Sequence, residues 1–317
     1  MGEIFQKDHV DLTISQQIDR LQTLKYYRQT REMLKGEEIR FRSWSDLKEK
    51  VDTLESNSDS VQKLKEMVFF SKKTYCLYRS EFNPEQIAQK ICLPPNNYGV
   101  HIAQRKFKIN EVLDESYLKD DVPVFIRANA ENIKISASHE FDIYDIVYPF
   151  EHDGDFYIAM LIDNRIGRSM ETINSIKNSI FSHLPVYSGS GLRSYEQIDF
   201  FPLISTIYND SQGVAEVAKV GFSCQTGAVR RSSLLQGDIR YEPFHVAGKG
   251  AVGDLNLFSI KIYLQDASIH IELPGNTKHL SGTLPLYIAN VDGILNLEGL
   301  QRVNQFFLNQ LEINEQS

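Results

Sequence analysis

The sequence predicts an α+β fold with a helical N-terminal region, two mostly antiparallel β-rich modules and a C-terminal amphipathic helix. Apolar residues recur every three or four positions in the N-terminal part and again near the end of the chain, which is the period of an amphipathic helix. Between these parts, apolar runs of strand length alternate with clusters of Gly, Pro, Asn and Asp, as in antiparallel sheets. We therefore predict a helical region over residues 1–70, an α+β domain over 71–205, and a β-rich domain with the terminal helix over 206–317.

The N-terminal region is expected to hold three helices. An apolar stripe that begins at Ile14 predicts one continuous helix over residues 15–35, which ends at Gly36. A second helix is expected after Ser43, because a serine hydroxyl can accept a hydrogen bond from the free backbone N–H groups at a helix start. A short third helix through Leu64 completes the region.

The middle module is predicted to be built from hairpins. Two apolar runs on either side of Ser71 indicate a first hairpin that begins at Met67, and Asp153-Gly154 is the strongest two-residue turn signal of the chain. A helix over residues 170–183 is expected to close the module. Strands are predicted near 99–109, 122–128, 133–137, 142–148 and 156–162.

The last module is predicted to be a second sheet followed by one helix. The glycine-rich segment 248–253 is expected to be a turn between two strands of this sheet. Leu300, Val303 and Leu311 belong to an apolar stripe that predicts the C-terminal helix. Residues 185–211 are rich in turn formers and are expected to connect the two modules. Strands are predicted near 214–224, 228–235, 238–246, 254–265, 267–273 and 284–289.

The charge distribution and the hydropathy exclude several classes of protein. The 317-residue chain carries a net charge of −8; residues 1–80 hold 15 basic and 13 acidic side chains, and the remainder hold 19 and 29. An acidic body disfavours nonspecific coating of nucleic acid. No apolar run reaches the roughly 18–20 residues that span a bilayer, and no signal-peptide pattern opens the chain. We therefore expect a cytoplasmic protein without membrane contacts.

Metal and cofactor sites are not expected from the sequence. Cys76, Cys92 and Cys224 are too few for a disulfide framework and lack the paired CxxC spacing of a zinc site. The eight histidines form no HxH, HxxxH or HExxH pattern. Because Cys76 and Cys224 lie in apolar runs of strand length, they are predicted to be buried, reduced thiols.

Basic residues lie among aromatic ones near the end of the first predicted helix, and a second, smaller basic group lies in the last module. Basic side chains can contact phosphates while aromatic rings stack on bases. A solvated helix face or a protein-contact helix is the alternative interpretation. The neighbouring aromatic residues are Tyr26, Tyr27, Phe41 and Trp44. The predicted nucleic-acid-binding residues are Arg28, Arg31, Lys35, Arg40, Arg42, Arg230, Arg231 and Lys249.

An enzymatic alternative depends on the stretch 238–254. A metal-dependent nuclease or phosphodiesterase places carboxylates around a divalent ion beside a lysine, and histidine supplies proton transfer near neutral pH. Lys249 or Lys261 would stabilise developing charge, but the spacing of these residues completes no catalytic motif. The candidate catalytic residues are Asp238, Glu242, His245 and Asp254.

Together, these observations favour a non-catalytic binding protein. We expect a cytoplasmic component of a bacterial accessory or mobile-element system that contacts nucleic acid or a protein partner through its basic patches. The frequent use of Ile, Asn, Ser, Phe and Tyr is typical of AT-rich coding, and phage defence is the most specific form of this expectation. The alternatives are the nuclease or phosphodiesterase described above, and a structural or regulatory subunit whose C-terminal helix contacts a partner. The oligomeric state is left open.

Overall fold

The computed structural model describes residues 13–23, 26–36, 38–55, 58–70, 72–90, 100–113, 124–129, 132–163, 170–182, 184, 194–210, 214–224, 227–234, 237–264, 269–294 and 296–316. Within residues 102–143 and 170–172, and at residues 23, 36, 55, 58, 90 and 252, the description covers the backbone alone. Over these ranges the chain forms ten α-helices and eleven β-strands.

The helices and strands follow the order expected for an α+β chain. The helices are α1 (Ile14–Thr23), α2 (Tyr27–Gly36), α3 (Trp44–Glu49), α4 (Val51–Glu55), α5 (Ser58–Phe70), α6 (Pro84–Lys90), α7 (Met170–Phe181), α8 (Leu203–Asn209), α9 (Pro243–Val252) and α10 (Leu297–Glu315). The strands are β1 (Lys73–Ser80), β2 (His101–Leu113), β3 (Val124–Asn129), β4 (Asn132–His152), β5 (Asp155–Asp163), β6 (Tyr195–Gln197), β7 (Ala215–Ser223), β8 (Val229–Ser233), β9 (Asn256–Leu264), β10 (Ile269–Leu273) and β11 (Ala289–Asp292).

All eleven strands join one antiparallel sheet. Its order is β2-β4-β5-β1-β11-β10-β9-β7-β8, with β3 added to β4 and β6 added to β1. Strand β1 joins the two predicted β-rich modules, because Thr74 lies opposite Ile162 of β5 and opposite Asn290 of β11. The predicted α+β class is confirmed, and the two predicted modules are the two halves of this sheet.

Helix α10 packs its apolar stripe against the middle of the sheet. Leu300, Val303 and Phe307 are fully buried, and the Phe307 ring stacks on that of Tyr75 in β1 with 5.1 Å between centroids. The Tyr75 hydroxyl donates a hydrogen bond to Asn304 Oδ1 (2.9 Å). The C-terminal amphipathic helix predicted from the sequence is therefore confirmed, and its apolar face packs inside the chain.

Buried polar contacts attach the N-terminal helices to the sheet. Arg20 of α1 donates to Asp163 of β5 at 3.2 Å, and both side chains are almost completely buried. Tyr26 donates to Asp292 of β11 (2.8 Å) and accepts from the backbone N–H of Lys72 (2.7 Å). Burial, followed by the neighbouring Asp292 carboxylate, raises the pKa of Tyr26 far above its usual value. The hydroxyl therefore keeps its proton and acts as a fixed donor between the helical layer and the sheet.

Several local predictions are confirmed. The Ser43 hydroxyl accepts from the backbone N–H of Asp46 (3.1 Å) and caps α3. Asp153 and Gly154 form the β4–β5 turn with φ values of +49° and +87°, and α7 occupies most of the helix predicted over 170–183. Cys76 and Cys224 are free and buried. Cys92 and residues 185–193 lie outside the described residues. The rest of the connection predicted over 185–211 is wrong, because it contains β6, which pairs with β1, and α8, whose Leu203 and Ile204 are buried.

Two predictions in the N-terminal region are wrong. The helix predicted over 15–35 is divided into α1 and α2. The division lies at Tyr26, whose hydroxyl bonds to Asp292 of the sheet and whose N–H bonds to Leu21 O (3.1 Å). The first strand of the hairpin expected from Met67 is the end of α5, where Phe69 and Phe70 are fully buried. A short apolar run looks the same in a buried helix and in a buried strand.

The strand predicted over 238–246 and the glycine turn predicted over 248–253 are also wrong. This stretch is a 3₁₀ turn at Ile239–Tyr241 followed by α9. The Glu242 carboxylate starts the helix by accepting from the backbone N–H groups of Phe244 (3.1 Å) and His245 (2.7 Å). Pro243 at the first helical position lacks an N–H group and has a φ that suits a helix. Helix capping therefore outweighs the low helix propensity of the glycines.

Candidate nucleic-acid interface

A reversal of the chain after α2 brings two basic segments together. The N–H of Glu38 bonds to Lys35 O (3.2 Å) and the N–H of Ile39 bonds to Leu34 O (2.9 Å), which is the hydrogen-bond pair of a Schellman motif. Glu38 adopts a φ of +63°, the left-handed conformation that this motif requires of the residue after the helix. The following segment, residues 39–43, therefore returns along the face of α2 that carries the basic side chains.

Polar contacts hold the backbone of the returning segment in place. The Tyr27 hydroxyl donates to Arg42 O (2.7 Å), and Asp46 accepts from the Arg42 N–H (2.6 Å). Lys50 donates from Nζ to Arg40 O (2.6 Å) and pairs with Asp46 Oδ1 (2.9 Å). The hydrogen bond from Lys50, then that from the Arg42 backbone, lowers the pKa of Asp46, so this carboxylate stays ionised as a fixed acceptor.

These two segments line a concave pocket of about 940 Å³, here called the basic pocket. Six basic and two acidic side chains line it, which leaves a formal charge of +4 in a chain whose net charge is −8. The residues that line the basic pocket are Tyr27, Arg28, Arg31, Glu32, Lys35, Ile39, Arg40, Phe41, Arg42, Asp46 and Lys50.

The basic side chains of the pocket fall into two groups. Two of them have partners within the chain: Lys50 pairs with Asp46, and Arg28 pairs with Glu32 at 3.0 Å. The side chains of the other four form no hydrogen bond or ion pair with any described residue. All four are exposed and available to an anion: Arg31, Lys35, Arg40 and Arg42.

The aromatic residues near the pocket mainly support its wall. The rings of Tyr27, Phe41 and Trp44 contact one another with centroids 5.3–6.1 Å apart, and Phe41 is buried. Tyr26 is buried at the contact with the sheet. Three of the four aromatic residues predicted beside the basic ones lie at this wall, but two of the four rings, Tyr26 and Phe41, are too buried to stack on a base.

The smaller basic group predicted in the last module is divided by the sheet. Arg230 lies opposite Phe222 in the β7–β8 pair, so both point to the face on which the Phe222 ring meets His245 of α9 (5.9 Å between centroids). Arg231 follows it and points to the other face, because side chains alternate along a strand. Lys249 places its Nζ 5.1 Å from the ring centroid of Tyr208.

The basic pocket and the smaller basic group lie next to different strands of the sheet. Tyr26, next to the basic pocket, contacts β11. Strand β8 lies four strand spacings beyond β11, or about 19 Å at the usual inter-strand distance. The fold therefore brings together five of the predicted nucleic-acid-binding residues and leaves Arg230, Arg231 and Lys249 apart from them.

The residues proposed as catalytic have local structural partners. Asp238 forms a partly buried ion pair with Arg240, whose guanidinium also donates to the backbone oxygens of Asp210 (2.6 Å) and Ala215 (2.8 Å). Glu242 is the cap of α9, and His245 Nε2 lies 2.8 Å from the Tyr208 hydroxyl.

Asp254 is exposed just after α9. Among the described side chains, Asp238, Glu242, His245 and Asp254 do not form a group that could hold a metal ion. A catalytic role for this stretch stays a prediction.

Sequence reasoning missed Lys50 as part of the pocket. Its spacing of four from Asp46 is the ordinary signature of a solvated helical ion pair, and nothing in that spacing indicates the turn that brings residues 39–43 back over it. The reversal itself occurs at Glu38. A glutamate at this position does not predict a turn, because positive φ is uncommon for glutamate.

Across the described ranges, none of the helices is both long enough and apolar enough to cross a bilayer. Compared with protein-family models, with curated proteins and with solved structures, the chain gives no match in any of the three.

Proposed function

We propose that the protein binds nucleic acid by holding backbone phosphates in the basic pocket. The observation that carries this proposal is the convergence of Arg31, Lys35, Arg40 and Arg42 on one concave surface. None of the four side chains forms an ion pair with a described residue, and the Asp46 carboxylate acts on the Arg42 side chain only through longer-range electrostatic attraction. Guanidinium and ammonium groups of this kind supply most of the affinity of proteins for nucleic-acid backbones. Because the backbone of the returning segment is clamped, Arg40 and Arg42 start from a fixed wall of the pocket.

The same geometry defines the selectivity that we expect. Phosphate contacts position a nucleic acid but do not read its sequence, and of the two aromatic residues that line the pocket only Tyr27 is partly exposed. We therefore expect weak sequence preference. The acidic remainder of the chain repels a polyanion at long range, so binding should be confined to a short segment of the strand and should weaken with salt.

The first prediction is tested by fluorescence anisotropy with labelled single-stranded DNA, single-stranded RNA and duplex DNA at two salt concentrations. Replacing Arg31 and Arg40 together by Gln removes one unpaired charge from each wall of the pocket. We expect affinity at low salt to fall at least about tenfold. The slope of log affinity against log salt should fall by about one to two.

Arg302→Gln is the matched control, because it removes an arginine charge from the exposed side of α10, away from the pocket. It should change affinity less than about twofold. Absence of binding to every nucleic acid at low salt, or an equal loss in the control, would contradict the proposal. Full competition by a nucleoside triphosphate would instead identify a free nucleotide as the ligand of the same pocket.

The finer expectations rest on the sequence alone. A cytoplasmic role in a bacterial accessory or mobile-element system, with phage defence as its most specific form, stays a prediction. The nuclease and the regulatory-subunit alternatives also stay predictions. Arg230→Gln, measured in the same binding assay, tests whether the distal basic group contacts the same ligand.

A further inference from the structure

A histidine and two carboxylates from distant parts of the chain meet at the end of the β4–β5 hairpin. His152 Nε2 lies 3.4 Å from Glu312 Oε1 of α10 and 3.6 Å from Asp153 Oδ2. All three potential ligand atoms lie within 4.8 Å of one another. Of the described His, Cys, Asp and Glu side chains, these three are the ones that form such a group.

The separations allow direct contacts between the imidazole and the two carboxylates, and they also leave room for a shared cation. Hydrogen bonds between charged nitrogen and oxygen atoms are usually about 2.7–2.9 Å long, which is well below the two distances to His152. Zinc–ligand bonds of about 2.0–2.2 Å in a tetrahedron separate neighbouring ligand atoms by about 3.3–3.6 Å. The two distances to His152 Nε2 fall in or at the edge of that interval, and the two carboxylate oxygens lie within 4.8 Å of each other.

The three residues lie on a tight hairpin and on a long helix. His152 pairs with Asp155 across the hairpin, and Asp153 occupies the left-handed turn position before Gly154, as in the two-residue turns of type I′. On the other side, Gln301 of α10 donates to the Tyr148 hydroxyl of β4 (3.2 Å). The helix is thus also fixed to β4 near its start, which supports the position of Glu312 eleven residues later.

Two neighbouring charged residues pair with each other. Arg79 of β1 pairs with Asp155 (3.7 Å) and lies 6.0 Å from the ring centroid of Tyr157. Asp155 is therefore not a member of the group. The carboxylates of Asp153 and Glu312 both lie near His152 Nε2 and within 4.8 Å of each other, and a divalent cation between them would reduce their repulsion.

We propose that His152, Asp153 and Glu312 bind one divalent transition-metal ion, with Zn²⁺ as the preferred ion. The imidazole ligand favours zinc over Mg²⁺ and Ca²⁺, which prefer all-oxygen sites. Three protein ligands leave the fourth position of a zinc tetrahedron to water. The bound ion would join the β4–β5 hairpin to the C-terminal helix.

The test is calorimetric titration of the whole, chelator-treated protein with ZnCl₂, together with its thermal unfolding in the presence and absence of the ion. We expect one Zn²⁺ bound per chain and a rise in Tm of roughly 2–4 °C at saturating zinc. MgCl₂ and CaCl₂ at the same concentration should leave Tm unchanged. His152→Ala should abolish binding, and Glu312→Gln should weaken it at least about tenfold.

Glu315→Gln is the matched control, since it changes the same charge three residues further along the same helix. It should bind zinc like the unmodified protein. Absence of a one-to-one titration, or equal weakening by Glu315→Gln and Glu312→Gln, would overturn the proposal. A loss of Tm in His152→Ala without any added zinc, and with no zinc effect in the unmodified protein, would show a plain ion pair instead.

Discussion

The surroundings of His245 make the stability of the folded protein depend on pH. Its ring lies against those of Tyr208 and Phe222. Burial lowers the pKa of His245, the nearby Lys249 ammonium lowers it further, and the Glu242 carboxylate opposes both effects. The neutral ring that results can form its hydrogen bond with the Tyr208 hydroxyl at neutral pH.

A pH prediction follows from the direction of this shift. Because the pKa of His245 is lower in the folded state than the value of about 6.5 in the unfolded chain, the unfolded state takes up the proton first as pH falls. Its contribution to stability is therefore intact above about pH 6.5 and is lost as pH falls from there through the lower folded-state pKa. The free energy of unfolding of His245→Gln, measured by urea denaturation between pH 7 and 5, should depend less on pH than that of the unmodified protein.

His270 supplies the comparison for this measurement. Its pKa is also lowered by burial, followed by the Lys261 ammonium, so His270→Gln should remove a separate share of the same slope. The two effects should add in the double variant, because no described contact joins the two rings. An unchanged slope in His245→Gln would show that this ring does not titrate differently in the two states.

At the scale of single elements, α9 shows where sequence reasoning succeeds and where it fails. The stretch was identified from its clustered polar and turn-forming residues, and the cap at Glu242 and the following Pro243 are local signals of a helix start. Two glycines within the helix favoured a turn. Local propensity is weak compared with capping and with the burial of His245 against Tyr208. The basic pocket fails in a different way. The sequence predicts most of its basic residues, but it does not predict the chain reversal at Glu38 that brings them together.

The assignment of α9 as a helix predicts the effect of an alanine at Gly248. A Cβ at this position would meet nothing within 4 Å, and the backbone is helical. Gly248→Ala should therefore raise the free energy of unfolding by about 0.5–1 kcal/mol, mainly by restricting the unfolded chain. Urea denaturation measures the change.

Gly154→Ala is the matched control for that substitution. A Cβ there is equally unobstructed, but Gly154 has a φ of +87°, which costs a residue with a side chain about 1 kcal/mol or more. The two substitutions should have opposite signs. If Gly248→Ala destabilised the protein as much as Gly154→Ala, the result would contradict the helix and support the glycine turn predicted over 248–253.

At the scale of the whole molecule, a buried charge network joins the helical layer to the sheet. Lys73 of β1 and Arg20 of α1 both reach Asp163 Oδ2, at 3.4 and 3.2 Å. Lys73 Nζ also donates to the Tyr144 backbone oxygen of β4, and the Asp163 N–H donates to Asp145 Oδ1 (2.8 Å). Burial lowers the pKa of Lys73, while the neighbouring carboxylates of Asp163 and Asp145 oppose the shift.

This network is the part of the architecture that a single sequence could least predict. The residues at 20, 73 and 163 lie far apart along the chain, and each is unremarkable among its neighbours in sequence. Periodicity identifies helices and strands separately, whereas the pairing of β1 with both β5 and β11 depends on contacts across most of the chain length. The boundary predicted at residue 70 therefore falls between elements that share a buried ion pair.

The final prediction tests whether that boundary separates two independent units. The chain has a single tryptophan, Trp44 of α3, so its fluorescence reports on the helical layer while far-ultraviolet circular dichroism reports on the whole chain. Because Arg20 and Lys73 are buried against Asp163, we expect both signals to follow one urea transition in the unmodified protein. Asp163→Asn leaves two buried cations without their shared carboxylate and should cost about 3–5 kcal/mol, with the Trp44 signal changing at lower urea than circular dichroism.

Glu298→Gln, which breaks the exposed pair with Arg302, should cost less than about 1 kcal/mol and keep the two signals together. Separate transitions in the unmodified protein would instead establish residues 1–70 as an independent domain.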